Sequence, residues 1–192
     1  LIPADLTADL KARINTGALM VNYAGHASTQ IWADEQIFGN ADVDQLNNSG
    51  KYPFFVSMSC LSGHFGYYDY PSLAEVLLRA ENKGAVAALM PTGMSEPAGQ
   101  KILNTALFEA IFSRDIRQLG PAIATAKQTL LANGGTALVE VSETFLLFGD
   151  PALTLQVPIP HKPTEVDAQQ GEEGIVISWQ SVEDCDGNPV AG

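Results

Sequence analysis

The chain has 192 residues, 46% of them hydrophobic, so it can bury the core of one ordinary domain and part of another and is not expected to be disordered. Ten Lys and Arg against 22 Asp and Glu give a formal net charge of −12, which argues against nucleic acid or an anionic membrane surface as a partner. No apolar run approaches the roughly 18 to 20 residues that a membrane span needs, so membrane insertion is not expected.

The chain opens with a predicted helix and a predicted strand. Within Pro3–Asn15, Leu or Ile recurs every four residues and Gly17 follows as a C-cap, which predicts an amphipathic helix. Ala18–Ala24 is nearly all apolar and predicts a strand buried on both faces, as in a parallel sheet. Ser28–Lys51 is polar and irregular, with a short helix expected at Val43–Asn48, and it either lines a substrate cleft or crosses the surface.

Two further apolar runs predict the next strands of the sheet. They are Pro53–Ser59 and Gly84–Met90. Between them, Ser72 and Glu75 form the pattern S-x-x-E, a capping box that opens a helix running through Asn82. The cap explains the spacing of this carboxylate, so we interpret Glu75 as structural and not as catalytic.

The second half of the sequence predicts three helices and one more strand. The helices are Ala98–Phe112, Pro121–Ala132 and Thr136–Phe148, and the strand is Ala152–Val157. Strands that alternate with helices indicate an α/β fold, a mostly parallel sheet covered by helices on both faces.

The pattern changes after this sheet. Pro158–Pro163 holds three prolines and predicts a semi-rigid linker at a domain boundary. Thr164–Gln169 and Ile175–Trp179 then predict two strands around a Gly-rich turn, the opening of a β-sandwich module with too few strands to close. We therefore expect a first domain at residues 1–157 and a truncated module at residues 164–192.

Two apolar runs end at reactive side chains, the first at His26 and the second at Cys60. Their separation of 34 residues fits a strand, a crossover and a strand, which brings both carboxyl ends to one edge of a parallel sheet. The imidazole can take the thiol proton and later protonate a leaving amine. Backbone N–H groups of Cys60 and of the turn Gly25–Ala27 would form an oxyanion hole. We interpret the pair as base and nucleophile of a cysteine hydrolase.

The Cys, His and Ser residues of the chain allow alternative roles. Cys60 and Cys185 lack CxxC spacing, so neither a zinc site nor a disulfide framework is expected, and a lone Cys on an apolar strand is commonly a core residue. His64 is a rival base, though a histidine at the pocket rim explains it, and His161 lies in the predicted linker. No G-x-S-x-G motif surrounds the serines near Cys60, so a serine hydrolase is not expected; these serines are Ser57, Ser59 and Ser62.

Six motifs occur in one order along the chain. They are Asn22–Ser28, Trp32–Asp34, Ser59–Phe65, Ser72–Glu75, Gly84–Ala87 and Phe148–Leu153. In sequence and spacing they resemble the gingipain-type cysteine peptidases, distant relatives of caspases, over about Ala18–Leu155. The resemblance implies a caspase-like sheet, His26 as general base and acid, and Cys60 as nucleophile. It also implies secretion or surface display, often in bacteria, and an immunoglobulin- or fibronectin type III-like module, whose start Pro163–Trp179 resembles.

The chain departs from the family pattern in two respects. Gly usually follows the catalytic His, where its N–H joins the oxyanion hole; here the residue is Ala27, whose N–H serves if the turn does not require a Gly-only conformation. The resemblance also implies upstream strands, which carry the acidic group that orients His26 and the residues that choose the P1 side chain, and these strands are not expected within this chain. By position, Ala24 and Met58 contribute to the wall of the pocket for P1, the substrate residue before the scissile bond, and neither is charged.

The sequence thus predicts a secreted or surface cysteine endopeptidase that cleaves proteins or peptides through a thioester. As a fragment that begins at Leu1, the chain is expected to be incomplete on its own. A sortase-like processing peptidase and an inactive adhesion or secretion scaffold are the alternatives. No cofactor is expected to be required. The resemblance permits structural calcium at Asp42 and Asp44, but we interpret these residues as solvated carboxylates.

Overall fold

A computed structural model describes residues 3–156, 167–171 and 174–178, and the chain divides into two compact units, Leu1–Leu155 and Gln156–Gly192. The strands of the first unit are β1 (Met20–Ala24), β2 (Ile31–Trp32), β3 (Phe38–Gly39), β4 (Phe54–Met58), β5 (Ala87–Pro91) and β6 (Phe145–Phe148). Its helices are α1 (Pro3–Thr16), α2 (Asn40–Val43), α3 (Leu73–Arg79), α4 (Pro97–Phe108), which continues as a π-helical turn over Glu109–Ser113, α5 (Leu119–Ala132) and α6 (Thr136–Thr144).

The first unit is built on a four-stranded mixed sheet with the order β1-β4-β5-β6. β1 and β5 both run parallel to β4, whereas β6 is antiparallel to β5. The register places Ala24 opposite Met58 at the carboxyl ends of β1 and β4. The predicted α/β class, a mostly parallel sheet with flanking helices, is confirmed.

The two central strands form the core because they are apolar on both faces. Every residue of β4 and β5 is buried, including Ser57. Helix α4 packs on β4 and helix α5 packs on α4, and their buried apolar residues include Leu103, Leu107 and Leu130. Aromatic rings fill the space beside β4, and their contacting side chains are Tyr23, Trp32, Phe38 and Phe55.

Local capping chemistry fixes the end of α1 and the start of α3, whereas α3 ends at Arg79 and not at the predicted Asn82, because Ala80 adopts an extended conformation. Gly17 ends α1 with a φ of +118°, in the left-handed region that suits glycine. At the start of α3, the Glu75 carboxylate accepts from the Ser72 backbone N–H at 2.9 Å, and the Glu75 N–H donates to Ser72 Oγ at 3.4 Å. The structural role predicted for Glu75 is therefore confirmed.

Two predictions about the later elements are wrong. Thr136–Phe148 does not form one helix, because the helix ends at Thr144 and Phe145–Phe148 pairs as a strand with β5. Four consecutive apolar residues are compatible with a buried strand or with one face of a helix. Pairing with the edge of β5 selects the strand. Residues 152–156, the described part of the expected strand Ala152–Val157, do not form a strand. Thr154 there makes a single bridge to Gln118.

Two predictions about the earlier elements also need correction. β1 is a strand, but it is not buried on both faces, because it lies at one end of the strand order and leaves Asn22 and Ala24 exposed. The short helix expected at Val43–Asn48 forms instead at Asn40–Val43. There the Asp42 carboxylate accepts from the Gly39 N–H at 3.0 Å and favours an earlier start.

The second unit contains an antiparallel pair, β7 (Asp167–Gly171) and β8 (Gly174–Ser178). Two strands around a Gly-containing turn are thus confirmed, with the first strand shifted toward the turn. The predicted linker Pro158–Pro163 lies outside the described residues. The boundaries of the two domains and the β-sandwich character of the module stay predictions.

Among the described residues, no helix combines the length and the apolar character that a membrane span requires.

Candidate active site

The carboxyl ends of β1 and β4 bring His26 and Cys60 into one cleft. Ala24 and Met58 are register partners, and the Gly25 N–H extends the ladder by donating to the Met58 carbonyl oxygen at 3.1 Å. His26 and Cys60 each lie two residues beyond this last pair. All four predicted residues line a cleft of about 550 Å³, in which His26 is exposed and Cys60 is half-buried.

One face of helix α4 forms the wall of this cleft. The contributing positions follow helical spacing and are Pro97, Gln100, Lys101, Asn104 and Thr105. Met94 and Ser95, from the loop between β5 and α4, complete the wall. The cleft is therefore bounded by the strand ends, this loop and the helix.

Cys60 lies on a tight turn at the end of β4. Leu61, the next residue, has a φ of +60°, which non-glycine residues rarely adopt and which costs about 1 kcal/mol or more. The turn is held by two backbone hydrogen bonds to the end of β5 and the loop after it, from the Gly63 N–H to the Pro91 carbonyl oxygen (2.9 Å) and from the Leu61 N–H to the Gly93 carbonyl oxygen (3.1 Å). These hydrogen bonds thus offset the conformational cost of Leu61 in the turn that carries Cys60.

Gln100 is a residue of this site that the sequence analysis missed. Its Nε2 donates to the Ser59 carbonyl oxygen at 2.8 Å and to the Ser95 carbonyl oxygen at 3.2 Å, and the residue is 8% exposed. The Cys60 thiol donates to the same Ser95 oxygen at 3.7 Å. Gln100 therefore ties the residue before Cys60 to the loop that the thiol contacts. In sequence it is simply a polar residue on an amphipathic helix.

The serines around Cys60 form a buried chain of hydroxyl groups. Ser57 Oγ and Ser59 Oγ are 2.8 Å apart, and Ser59 Oγ and Ser62 Oγ are 3.0 Å apart. All three are almost fully buried, and none lines the cleft. The three hydroxyl groups satisfy one another under the turn and are not presented to a substrate.

Tyr23 holds the turn that carries His26, and it too was missed in the sequence. Its hydroxyl donates to the His26 carbonyl oxygen at 2.6 Å, and its ring stacks on Trp32 with 4.4 Å between centroids. Burial raises the pKa of Tyr23, the nearby Glu35 charge raises it further, and a backbone hydrogen bond at Ala33 opposes the rise. The phenol therefore keeps the proton that it donates.

Gly25 is required beneath this hydroxyl. A Cβ at Gly25 would lie 2.6 Å from the Tyr23 hydroxyl oxygen, closer than real Cβ contacts. The glycine in the motif Tyr-Ala-Gly-His is thus explained by the close approach of the Tyr23 side chain over the turn.

Ala27, where the gingipain-type family usually has glycine, does not have a positive φ. It pairs with Trp32 in an isolated antiparallel bridge, so the turn does not need a glycine here. Neither the Ala27 N–H nor the Cys60 N–H has an acceptor among the described residues. Ala27 lines an adjoining depression of about 290 Å³, which shares His26 with the main cleft.

The other histidines are not part of the cleft. His64 is half-buried, with Nδ1 2.7 Å from the Thr92 carbonyl oxygen and its ring 4.8 Å from that of Tyr67. It is absent from the lining of the cleft that holds Cys60. His161 lies outside the described residues.

Asp42 and Asp44, the carboxylates at which the resemblance permits calcium, differ in their surroundings. The Asp42 carboxylate accepts from Lys11 Nζ at 2.9 Å and from the Gly39 N–H at 3.0 Å. Asp44 is exposed. Within the described part of the chain, no group of three or more His, Cys, Asp or Glu side chains is arranged to hold a metal ion. The expectations about cofactors and calcium stay predictions.

Comparison with known proteins gives consistent results. A model described as Peptidase family C25 matches residues 4–156. Gingipain R2 of Porphyromonas gingivalis (strain ATCC BAA-308 / W83) is 30% identical over 164 residues, which cover 77% of this chain and 21% of that protein. Lys-gingipain W83 of the same species is 33% identical over 76 residues, covering 40% of this chain and 4% of that protein.

The fold comparison agrees with the sequence comparison. A crystal structure of the Arg specific cysteine proteinase gingipain R matches with a TM-score of 0.74 at 26% identity, over 86% of this chain and 39% of that one. The resemblance drawn from the six motifs is confirmed at the level of family and fold. The chain spans about a fifth of the length of Gingipain R2.

Proposed function

Because the chain belongs to peptidase family C25, we propose that it carries the catalytic dyad of a cysteine endopeptidase, with Cys60 as nucleophile and His26 as general base and acid. The observation that carries this proposal is the register of β1 and β4, which puts both side chains in one cleft at the carboxyl edge of the sheet. Protein and peptide substrates follow from the family, and the net charge of −12 argues against nucleic acid.

The reaction proceeds in two acyl transfers. His26 takes the proton of the Cys60 thiol, and the sulfur attacks the carbonyl carbon of the scissile peptide bond. The C–N bond breaks, the leaving amine takes the proton from His26, and a thioester joins the substrate to Cys60. His26 then removes a proton from water, whose oxygen attacks the thioester carbon, and the released thiolate takes that proton back.

Charge on the carbonyl oxygen develops during both steps. The N–H groups of Ala27 and Cys60 suit an oxyanion hole because no acceptor within the described structure occupies them. Ala24 and Met58 then form part of the P1 wall beside the reacting carbon. The proposal assigns these residues from their places in the cleft and from the family pattern.

The family also suggests where the protein acts. We propose an extracellular or cell-surface location, with residues 164–192 as the start of an immunoglobulin- or fibronectin-like module. The antiparallel pair β7–β8 supports a β-rich module after the peptidase domain.

Active-site labelling of the protein at its natural length tests the dyad. A panel of peptidyl electrophiles is applied, and the modified residue is mapped by mass spectrometry. We expect a label at Cys60, its loss in Cys60→Ala, and labelling slower by about a hundredfold or more in His26→Ala. Cys185→Ala and His64→Ala are the matched controls and should label at the wild-type rate.

The same experiment separates the alternative functions. Labelling of neither cysteine in a folded protein would contradict the peptidase assignment and favour a scaffold. Labelling of Cys60 followed by product joined to an added amine, in preference to hydrolysis, would indicate a sortase-like transpeptidase.

A further inference from the structure

We propose that Glu75 is a positioning residue for the dyad, because its capping box holds the start of α3 where two backbone N–H groups bind the loops that follow His26 and Cys60. This inference rests on the function proposed above and adds a third element to the same site. Glu75 does not line the cleft, so it acts through the backbone and takes no part in bond breaking.

The first observation is the contact between α3 and the loop that follows His26. The Leu73 N–H donates to the Thr29 carbonyl oxygen at 2.9 Å. Thr29 lies in a short hairpin over residues 26–33, at whose base the His26 carbonyl oxygen accepts from the Ala33 N–H at 2.8 Å. The start of α3 therefore holds the tip of the hairpin that carries the proposed base.

The second observation is the contact between α3 and the turn that follows Cys60. The Ala74 N–H donates to the Ser62 carbonyl oxygen at 3.1 Å, and both residues are fully buried. Ser62 lies two residues after Cys60, directly beyond Leu61 with its positive φ. Adjacent N–H groups of one helix thus bind both loops that carry the dyad.

Pro71, the residue before the capping box, strengthens the link to the first of these loops. Its carbonyl oxygen accepts from Asn40 Nδ2 at 2.9 Å and from Gln30 Nε2 at 3.4 Å. Gln30 belongs to the same hairpin as Thr29. All of these contacts lie within the unit Leu1–Leu155, so residues 71–74 join the segment after β1 to the turn after β4.

Glu75 fixes the two N–H groups of α3 because it closes the box around them. Its carboxylate accepts from the Ser72 N–H and from the Ser72 hydroxyl, both at 2.9 Å, and the Glu75 N–H donates to Ser72 Oγ at 3.4 Å. Leu73 and Ala74 lie between these two residues, so the box sets the direction of their N–H groups. First-turn N–H groups have no acceptor within their own helix, which leaves these two free to bind the loops.

The dyad needs such a link because it lies beyond the paired strands. The Gly25 N–H, which donates to the Met58 carbonyl oxygen, is the last contact between the two strands before His26 and Cys60. A displacement of about 1 Å between reacting groups can slow a reaction by about a hundredfold. Loss of the box would therefore slow proton transfer from Cys60 to His26 and leave the cleft wall that binds the substrate in place.

Glu75→Ala and Glu75→Gln test this inference in the protein at its natural length. The kinetics of Cys60 labelling by a peptidyl electrophile separate the affinity for the probe, KI, from the rate of bond formation, kinact. Alanine removes the box, so we expect kinact to fall about tenfold and KI to stay within about twofold. Glutamine still accepts from the Ser72 N–H and should restore kinact to within about twofold of wild type.

Arg79→Ala is the matched control. Arg79 binds the other carboxylate oxygen of Glu75 at 3.1 Å from an exposed position, so this variant removes a partner of Glu75 and leaves the box intact. It should keep the wild-type kinact. Ser72→Ala removes only the hydroxyl of the box and is the milder variant for the case that Glu75→Ala does not fold. It should lower kinact about threefold.

Amide hydrogen exchange measures the two backbone contacts directly. The Leu73 and Ala74 N–H groups should exchange about tenfold faster in Glu75→Ala than in wild type, because their hydrogen bonds to the loops open more often. Their exchange in Arg79→Ala should match wild type. Equal exchange in Glu75→Ala and wild type would show that the box does not hold these groups and would overturn the inference.

Failure of this inference is distinguishable from failure of the dyad. Labelling of Cys60 in wild type, with an unchanged kinact in folded Glu75→Ala, would overturn the positioning role and leave the dyad intact. An equal fall of kinact in Arg79→Ala would assign the effect to the ion pair and would also overturn it. Absence of a label at Cys60 in wild type would overturn both.

Discussion

At the scale of single residues, the candidate nucleophile and base depend on side chains that hold their backbones in place. The turn at Cys60 is tied down through Gln100, and the turn at His26 through Tyr23. Both supporting side chains donate to backbone carbonyl oxygens. These hydrogen bonds fix the positions of Cys60 and His26 and do not involve a substrate. This arrangement gives predictions that a purely structural role would not make.

Gln100→Met tests the support of the nucleophile. Methionine fills a similar volume but cannot donate to the Ser59 and Ser95 carbonyl oxygens, and leaving buried acceptors without a partner costs about 1–3 kcal/mol. We expect a lower free energy of unfolding by that amount, and labelling of Cys60 by peptidyl electrophiles that is slower by about tenfold under conditions in which the variant is folded.

The control for this variant is Gln118→Met. Gln118 is exposed, lies outside the cleft, and also donates to a backbone carbonyl oxygen, that of Ala152 at 3.2 Å. It should label at the wild-type rate. Equal rates in both variants would show that Gln100 contributes only to stability.

Tyr23→Phe tests the support of His26. The substitution keeps the ring on Trp32 and removes the hydroxyl that donates to the His26 carbonyl oxygen. We expect labelling of Cys60 to slow by about fivefold, with a loss of about 1 kcal/mol in the free energy of unfolding. The comparison variant is Tyr67→Phe, in a loop outside the cleft, which should leave both quantities unchanged.

The raised pKa of Tyr23 adds a pH dependence to the same pair of proteins. The folded state holds the phenol proton more tightly than the unfolded state, whose pKa is 10.0, so stability is lost as pH rises above about 10. Burial lowers the pKa of Lys127, so this residue gives stability the opposite dependence on pH. The free energy of unfolding is therefore measured for wild type and for Tyr23→Phe by chemical unfolding from pH 8 to 11, and the two values are compared at each pH. A difference that does not shrink at high pH would contradict the prediction.

At the scale of secondary-structure elements, Asn48 joins two connections that lead into the central strands. Its Nδ2 donates to the Lys51 carbonyl oxygen at 3.1 Å and to that of Gly84 at 2.9 Å, and its Oδ1 accepts from the Gly84 N–H at 2.9 Å. The side chain is fully buried. It therefore fixes the segment before β4 against the segment before β5.

Asn48→Ala should lower the free energy of unfolding by about 3 kcal/mol, because two buried backbone groups of Gly84 and the part-buried Lys51 carbonyl oxygen lose their partner together. Urea unfolding measures this loss. Asn47→Ala is the matched control at an exposed position, and it should change the stability by no more than about 0.5 kcal/mol. A similar loss in both variants would place the effect in the loop as a whole and not in the Asn48 hydrogen bonds.

The elements that could be predicted from the sequence are those defined by local chemistry. The S-x-x-E box gave the start of α3, and Gly17 gave the end of α1, because capping groups act within a few residues. Phe145–Phe148 could not be assigned in this way. Its four apolar residues fit a helix or a strand, and pairing with β5, more than 50 residues earlier in the chain, selects the strand.

At the scale of the whole molecule, every described residue of the candidate site lies in the unit Leu1–Leu155. The family model matches residues 4–156, and the boundary of the peptidase domain stays a prediction.

The sequence by itself determined the α/β fold and placed His26 and Cys60 at the ends of two strands, because apolar runs and their breaks are local signals. The family resemblance added Ala24 and Met58, each two residues before a proposed catalytic residue, and both line the same cleft. Only the tertiary structure decided that Gln100 holds the turn at Cys60, since the packing of α4 against distant strand ends is a long-range contact. The polar pattern of one helix face does not reveal which neighbour it meets.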